Sequence, residues 1–204
     1  AFANLLEAEI ANLNKSAEMF LEINMGGTAI GTGLNAAPGF PEICAKKLSE
    51  FTGMAFKASE DLVAATPDTT DLVQYSGAMK RLAIKLSKIC NDLRLMASGP
   101  RCGLHEINLP PMAPGSSIMP GKVNPVIPEI TNQTCFKVIG NDTTVMLAAE
   151  AGQLQLNVME PIIMQCLVED ITWLGEAFDT LREKCIDGIT VNREHNAEMV
   201  KHSI

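Results

Sequence analysis

Residues 115–125 read GSSIMPGKVNP and bring together groups that suit a small dianion. The glycines at positions 115 and 121 let the backbone bend, whereas the prolines fix φ and remove N–H donors at set points. A helical pattern begins at Val126, so the segment leads into a helix N-terminus, where anions are favoured. These residue types predict a loop that moves and then binds a dianion through hydroxyl, ammonium, amide and backbone N–H groups, including those of Ser116, Ser117, Lys122 and Asn124.

A plain connection between helices is the competing interpretation of the same segment. Most clusters of glycine, serine and proline between helices only connect them, and composition alone favours that view. Ser116 and Ser117 would then do no more than cap the following turn. Residue chemistry also leaves open which of the two serines would act as a base.

Several helices are needed to position this loop. Apolar residues recur at heptad spacing from Leu72 to Met96, which is typical of a long bundle helix. Pro161 either kinks the last long helix or marks its true start. No strand is predicted, and the fold class expected is all-α, an elongated antiparallel helical bundle. Similar apolar stripes predict the other helices, over residues 2–23, 41–51, 126–149, 154–186 and 192–202.

Polar residues on two of these helices have open roles. The basic residues between Lys80 and Arg94 are typical of a solvated or interface face. Short polar residues interrupt the apolar stripe of the helix over 126–149. They indicate either a polar-lined interior or subunit interface, or a partly exposed helix, with equal weight.

Residues 98–121 form a long stretch rich in proline and glycine without periodicity. Loops of this length in compact proteins are usually functional or disordered, so we treat 98–125 as a candidate active-site loop region. His105 lies in it without a predicted partner. The earlier glycine-rich segment over 26–35 lacks the lysine of a phosphate-binding loop and follows a helix. A tight turn packed against neighbouring helices is therefore expected there.

Composition restricts the partners of this chain. Its 204 residues carry a net charge of -8, which argues against nucleic acids and anionic membrane surfaces. An anionic substrate must then be held by a local arrangement. No basic segment precedes an apolar one at the N-terminus, so no signal peptide is predicted, and no apolar run approaches the roughly 20 residues of a membrane span.

The six cysteines are scattered without a CxxC pair. Zinc-ligand spacing is therefore absent, and neither a metal site nor a cofactor is predicted. Several of these cysteines fall on apolar stripes and are expected to be reduced core residues. A reducing, cytoplasmic location is the simplest interpretation.

Four strings in this chain stand out: GTAIGTGLN over 27–35, SKICNDLRLMASGPRCGL over 87–104, GSSIMPGKVNP over 115–125 and IGNDTTVMLAAEAGQLQLNVMEP over 139–161. Together they resemble the fumarase/aspartase superfamily, and the resemblance extends over essentially the whole chain. Two details favour the ammonia-lyase branch over the fumarases. The loop continues as Val-Ile-Pro-Glu over 126–129, where fumarases typically have Thr-Gln, and residues 149–156 have the ammonia-lyase form.

The resemblance implies a reaction and the residues for it. Such enzymes remove a C3 proton from a small dicarboxylate, here L-aspartate, and expel ammonia to give fumarate. Ser116 is implied as the general base, acting as an oxyanion, with a dianionic aci-carboxylate as intermediate. The implied substrate-binding residues are Ser117, Lys122, Val123 and Asn124.

The resemblance also implies an incomplete chain. Family members are more than twice as long, and their active sites combine regions from different subunits of a homotetramer. Residues 1–204 are then a single, partial central helical domain, without the family's upstream and C-terminal domains, and inactive alone. Two alternatives stay open: a fumarate hydratase on the same scaffold, and a non-catalytic helical oligomerisation module.

Overall fold

The computed structural model describes residues 1–203, and most of them are helical. The all-α class is confirmed, although two small ladders of two-residue strands, which the sequence analysis did not predict, join distant segments. The strands are β1 (Glu22–Ile23), parallel to β2 (Lys57–Ala58), and β3 (Ile107–Asn108), antiparallel to β4 (Thr190–Val191). The helices are α1 (Phe2–Ala17), α2 (Phe40–Thr52), α3 (Leu62–Ala65), α4 (Thr70–Met96), α5 (Val126–Glu150), α6 (Glu160–Lys184) and α7 (Arg193–Lys201).

Helices α4 and α5 run antiparallel through the centre of the bundle. Near the start of α4, Ser76 Oγ donates to Asp142 near the end of α5 at 2.9 Å. Further along α4, Ser87 accepts from Asn132 Nδ2 near the start of α5 at 2.8 Å. The order of these contacts shows that the two helices are antiparallel.

Helix α6 packs on α5, and the two share a polar contact inside the bundle. Asn141 Nδ2 donates to Oδ1 of the fully buried Asp170 at 2.7 Å. Around this contact the helices are joined by apolar side chains, as the heptad spacing predicts. The core comprises Met79, Leu82, Ala83, Leu86, Cys90, Cys135, Val138, Val145, Ala148, Ile163, Cys166, Leu167, Leu174, Leu181 and Cys185.

The first helix is shorter than predicted. It ends at Ala17, a 3-10 turn covers Glu18–Leu21, and the chain then pairs as β1. Its buried face also differs from the apolar stripe predicted over residues 2–23, because Glu9 is fully buried while Ile10 is exposed. Glu9 accepts from Arg81 at 3.0 Å and pairs with Lys85, so cations of α4 compensate its burial.

The third long helix begins at Glu160, not at residue 154 as the sequence pattern suggested. Pro161 occupies the first turn, where its missing N–H costs nothing, so this proline marks the start of the helix. The residues before it form a turn in which Asn157 Nδ2 donates to the carbonyl groups of Ala148 and Ala149. This turn holds the end of α5 against the start of α6.

The sequence left open whether the polar residues of α5 line an interior or interface, or are partly exposed. Each alternative applies to different positions of the helix. Asn132, Asn141 and Asp142 are buried and bonded to neighbouring helices, so they form a polar-lined interior. Gln133 and Thr143 are exposed instead. Polar residues of α5 therefore lie both on its packed side and on its exposed side.

The glycine-rich segment over 26–35 is a tight turn against a neighbouring helix, as predicted. A Cβ at Gly31 would lie 2.3 Å from the carbonyl oxygen of Leu62, at the start of α3. A Cβ at Gly27 would likewise lie 3.1 Å from the Cα of Gly31 and 3.2 Å from the hydroxyl oxygen of Thr66. Only glycine permits such close approach, so these residues serve packing rather than phosphate binding.

The cysteines of the bundle are mostly buried. Cys90, Cys135, Cys166 and Cys185 are buried, and all six cysteines are free thiols, which agrees with their predicted role as reduced core residues. Within residues 1–203, no helix has the length and apolar character required to cross a membrane.

Candidate active site

A cleft of about 720 Å³ lies where the end of α4 meets the loop that leads into α5. Arg94 and Lys122 line it, and no acidic side chain does, so its formal charge is positive in a chain of net charge -8. A local cationic site of this kind is what an anionic ligand requires. The lining residues are Arg94, Ala97, Ser98, Gly99, Pro100, His105, Asn108, Leu109, Pro110, Pro120, Gly121, Lys122, Val123, Asn124 and Pro125.

A second cleft of about 720 Å³ lies near the start of α4 and has the opposite character. Its basic lining residues are Lys15 and Lys57. Its acidic residues outnumber these two lysines, which makes it a poor site for a dianion. They are Glu18, Glu22, Asp68, Asp71 and Glu160.

The loop over 115–125 is closed at its base by backbone pairing. Gly115 N donates to the Lys122 carbonyl at 2.7 Å, and Asn124 Nδ2 donates to the Gly115 carbonyl at 3.3 Å. A Cβ at Gly115 would meet that same Lys122 oxygen at 2.7 Å, so the pairing requires glycine. Gly121 adopts φ +80°, a left-handed conformation that glycine permits. The two glycines therefore shape the loop as predicted.

Ser116 accepts hydrogen bonds from two backbone N–H groups within this loop. Its Oγ lies 3.1 Å from the nitrogens of both Ile118 and Met119. This is the turn-capping geometry of the competing interpretation. The same two donors would also stabilise a serine oxyanion, because hydrogen bonds to the charged form lower the pKa of an acid.

The structure brings together three of the five predicted site residues. Lys122, Val123 and Asn124 line the cleft, whereas Ser116 and Ser117 do not. Ser117 is exposed, and Ser116, which directly follows the paired Gly115, is partly buried. A ligand in the cleft would therefore contact Lys122 and Asn124, but neither serine.

Four polar residues of the cleft were not named among the predicted site residues, although three of them lie in the candidate active-site loop region over 98–125. Arg94 was assigned to a solvated or interface face, and His105 to that loop region without a partner. Both line the cleft, and the His105 ring centroid lies 5.9 Å from that of His195. Their proximity to the predicted loop in sequence was the available signal. The four residues are Arg94, Ser98, His105 and Asn108.

Three of the other basic residues of α4 pair with buried carboxylates. Lys80 pairs with the buried Asp142, while Arg81 and Lys85 pair with the buried Glu9. Burial alone raises the pKa of Glu9, but the hydrogen bonds and charges of Lys85 and Arg81 bring it below its ordinary value. Each of the three compensates a buried carboxylate, and Arg81 stays 57% exposed, which agrees with a solvated or interface face rather than a ligand site.

Metal-ligating side chains are dispersed. Across residues 1–203, no three His, Cys, Asp or Glu side chains lie close enough to hold a metal ion. The chemistry available at the cleft is that of hydroxyl, amide, imidazole, guanidinium and ammonium groups. These bind and polarise carboxylates through charge-assisted hydrogen bonds.

Comparison with known proteins gives close matches. Residues 1–140 match a family described as lyase. Aspartate ammonia-lyases from Escherichia coli strain K12 and Helicobacter pylori strain 26695 are 58% and 53% identical over the whole chain. The chain spans about 43% of the length of those relatives.

Two solved structures share the fold. A fumarate lyase:delta crystallin from Brucella melitensis, bound to cobalt, matches 96% of this chain and 42% of its own at a TM-score of 0.92 and 53% identity. A class II fumarase from Schistosoma mansoni matches 97% of this chain and 44% of its own at a TM-score of 0.90 and 34% identity. The family match covers more than half of the chain and the relatives span all of it, so this chain belongs to the lyase family, within the fumarase/aspartase superfamily.

Proposed function

We propose that this chain is the central domain of an aspartate ammonia-lyase, which converts L-aspartate to fumarate and ammonia. The observation that carries the proposal is the acid-free cleft lined by Arg94 and Lys122, beside a loop rich in hydroxyl and N–H groups. A dicarboxylate carries two negative charges, and the cleft offers two cations in a chain of net charge -8. The ammonia-lyases at 53–58% identity support the same substrate class.

The chemical difficulty of this elimination is that a proton beside a carboxylate is barely acidic. In the proposed mechanism, the Ser116 oxyanion takes the C3 proton, and the electron pair moves into the adjacent carboxylate to form an aci-carboxylate. Collapse of that intermediate forms the C2–C3 double bond and expels ammonia from C2. Lys122 and Asn124 hold the carboxylate whose charge grows, and this differential stabilisation lowers the barrier.

Ser116 is supported as the base by its two N–H donors from Ile118 and Met119. A serine alkoxide is otherwise improbable at neutral pH and needs such donors or positive charge. Because Ser116 does not line the cleft, the proposal includes a loop movement that carries it over the bound substrate. Ser117 would then bind a substrate carboxylate, while the closed loop and Val123 exclude water.

The proposed assembly is a homotetramer whose active sites are shared between subunits. Large apolar side chains on α5 and α6 face outward in the single chain, and another bundle would bury them. Residues 1–204 then act as one central domain, catalytically inactive without its neighbours. The exposed apolar residues include Phe136, Leu147, Val168 and Ile171.

A fumarate hydratase is the second candidate, because the class II fumarase shares the fold at a TM-score of 0.90. Its identity of 34% is lower than the 53–58% of the ammonia-lyases, so the hydratase is the weaker candidate. A non-catalytic oligomerisation module is the third, and it leaves the cationic cleft without a role.

One assay separates the three candidates. The complete gene product is purified and given L-aspartate or L-malate, and fumarate is followed by its absorbance while ammonia is measured separately. We expect fumarate and equimolar ammonia from L-aspartate, and no fumarate from L-malate. Formation of fumarate from L-malate but not from L-aspartate would identify a hydratase. An assembled protein that turns over neither substrate would leave only the oligomerisation module.

A further inference from the structure

The wall of the cleft formed by residues 104–108 is held by a segment far along the chain. β4 pairs with β3, so Thr190 lies opposite Asn108 and Val191 opposite Ile107. Just beyond β4, the first turn of α7 adds side-chain bonds to the same wall. His195 Nε2 donates to the Leu104 carbonyl at 2.8 Å.

Asn192 makes the central contacts of this junction. Its side-chain Nδ2 donates to the His105 carbonyl at 2.7 Å, and its backbone N donates to the Glu106 carbonyl at 3.0 Å. Its side-chain Oδ1 accepts from Asn108 Nδ2 at 2.8 Å. A single amide thus acts as donor and acceptor at once, which an aspartate at the same position cannot do.

His105 is the residue on which these contacts act. Its φ is +50°, a left-handed conformation that is uncommon for a residue with a side chain. The His105 N–H donates to the Ser98 carbonyl at 2.7 Å, and its own carbonyl accepts from Asn192. Such a conformation persists only where the surroundings hold it, and here bonds on both sides of the residue do so.

We infer that Asn192 is a positioning residue for the candidate active site. It fixes the backbone of His105 and the amide of Asn108, both of which line the cleft, while Asn192 itself does not. Without the Nδ2 donor, His105 relaxes out of the left-handed conformation and the cleft wall moves. This inference depends on the proposed function for its substrate, whereas the geometry of the wall can be tested without one.

The kinetic test compares Asn192→Asp with the wild type in the complete gene product. The variant keeps the size and the acceptor but removes the donor to His105. Because a charge-free hydrogen bond contributes about 1 kcal/mol, we expect the KM for L-aspartate to rise about fivefold while kcat changes less than about twofold. An unchanged KM would overturn the inference.

A matched control separates positioning from general stability. Asn157→Ala removes side-chain bonds to two backbone carbonyls at the opposite end of α5, far from the cleft. It should lower the unfolding temperature and leave KM at the wild-type value. If Asn157→Ala raises KM as much as Asn192→Asp does, the effect is one of overall stability and the inference fails.

A double-mutant cycle tests whether Asn192 acts through His105. Glycine adopts positive φ freely, so His105→Gly should no longer need the donor to hold its backbone. In the His105→Gly background, we expect Asn192→Asp to change KM by less than about twofold. The same fold-change in both backgrounds would show that Asn192 does not act through His105, which contradicts the inference.

Hydrogen exchange tests, without substrate, whether Asn192 holds the backbone of residues 104–108. In Asn192→Asp, the amide hydrogens of residues 104–108 should exchange faster than in the wild type, while those in the middle of α4 and α5 should not change. Wild-type exchange rates at residues 104–108 would overturn the inference. Failure of the wild type to release ammonia would refute the proposed function alone.

Discussion

Asn141 Nδ2 donates to Asp170 Oδ1 at 2.7 Å, and this bond links α5 to α6 inside the bundle. Asp170 is fully buried, and its second oxygen, Oδ2, has no hydrogen-bond partner within residues 1–203. Burial raises the pKa of Asp170 to about 6, and nearby Glu169 and Asp142 add to the rise. The bond from Asn141 and the charge of Lys137 oppose it without cancelling it. The bundle therefore favours the neutral form of this acid.

Asp170→Asn should raise the unfolding temperature at neutral pH. The pKa of Asp170 is higher in the folded protein than its ordinary value of 3.8, so ionisation destabilises the folded state. The penalty is absent below about pH 4 and complete above about pH 6–7, where it amounts to about 1–3 kcal/mol. Thermal unfolding of variant and wild type across this pH range should show a difference that disappears on acidification.

Asp179→Asn serves as the control for that experiment, because Asp179 lies on the same helix and is exposed. Its unfolding temperature should follow that of the wild type at every pH. An Asp170→Asn variant that is less stable than the wild type at pH 7 would show that the ionised carboxylate makes a favourable contact in the folded protein.

Ser116→Ala should abolish turnover while the protein still assembles. Loss of a general base typically costs about 10²–10⁴-fold in rate. The two backbone N–H groups that would stabilise an oxyanion donate to Ser116, and within residues 1–203 none donates to the hydroxyl of Ser117. Steady-state ammonia release together with light scattering would test this. Near-normal ammonia release from the variant would refute the role of Ser116, and Ser117→Ala would then be the variant to compare.

Lys122→Met should mainly weaken substrate binding. Removal of a charged hydrogen-bond donor costs about 1.5–3 kcal/mol, so we expect the KM for L-aspartate to rise about 10–100-fold. Lys46→Met, on the exposed side of α2, removes the same charge far from the cleft and should leave KM unchanged. An unaltered KM in Lys122→Met would contradict the carboxylate-binding role.

Gly115→Ala should disrupt the loop although the change adds a single methyl group. The new Cβ would lie 2.7 Å from the Lys122 carbonyl oxygen, so the pairing at the loop base must open. Activity should fall at least about tenfold, as misplacement of catalytic groups commonly costs that much. Gly175→Ala, where nothing lies within 4 Å of the added Cβ, should retain activity. Equal activity in both variants would show that the loop tolerates the opening.

Thiol reactivity should follow burial along the chain. Burial raises the pKa of Cys90 to about 12 and that of Cys135 to about 11, which suppresses the reactive thiolate. Cys102 is exposed and should react first with a thiol reagent in the native protein. Peptide mapping after brief labelling would show the order. Prompt labelling of Cys90 or Cys135 would mean that the core opens readily.

Local patterns in the sequence determined the helical class and the position of the loop. Heptad spacing identified α4 because apolar residues on one face must be buried whatever their partner is. Glycines and prolines likewise marked the loop over 115–125, since their backbone preferences do not depend on distant contacts. The same local information placed Lys122 and Asn124 beside each other in the candidate site.

Only the tertiary structure decided which polar residues are paired and which line the cleft. Glu9 is 72 residues from Arg81, and His105 is 87 residues from Asn192, so neither bond leaves a periodic signal in the chain. A helix stripe shows which face is buried, but a buried carboxylate on that face is stable only if a cation from another helix reaches it. The positions of Glu9, Asp170 and His105 therefore follow from packing between distant segments, which the order of residues alone does not reveal.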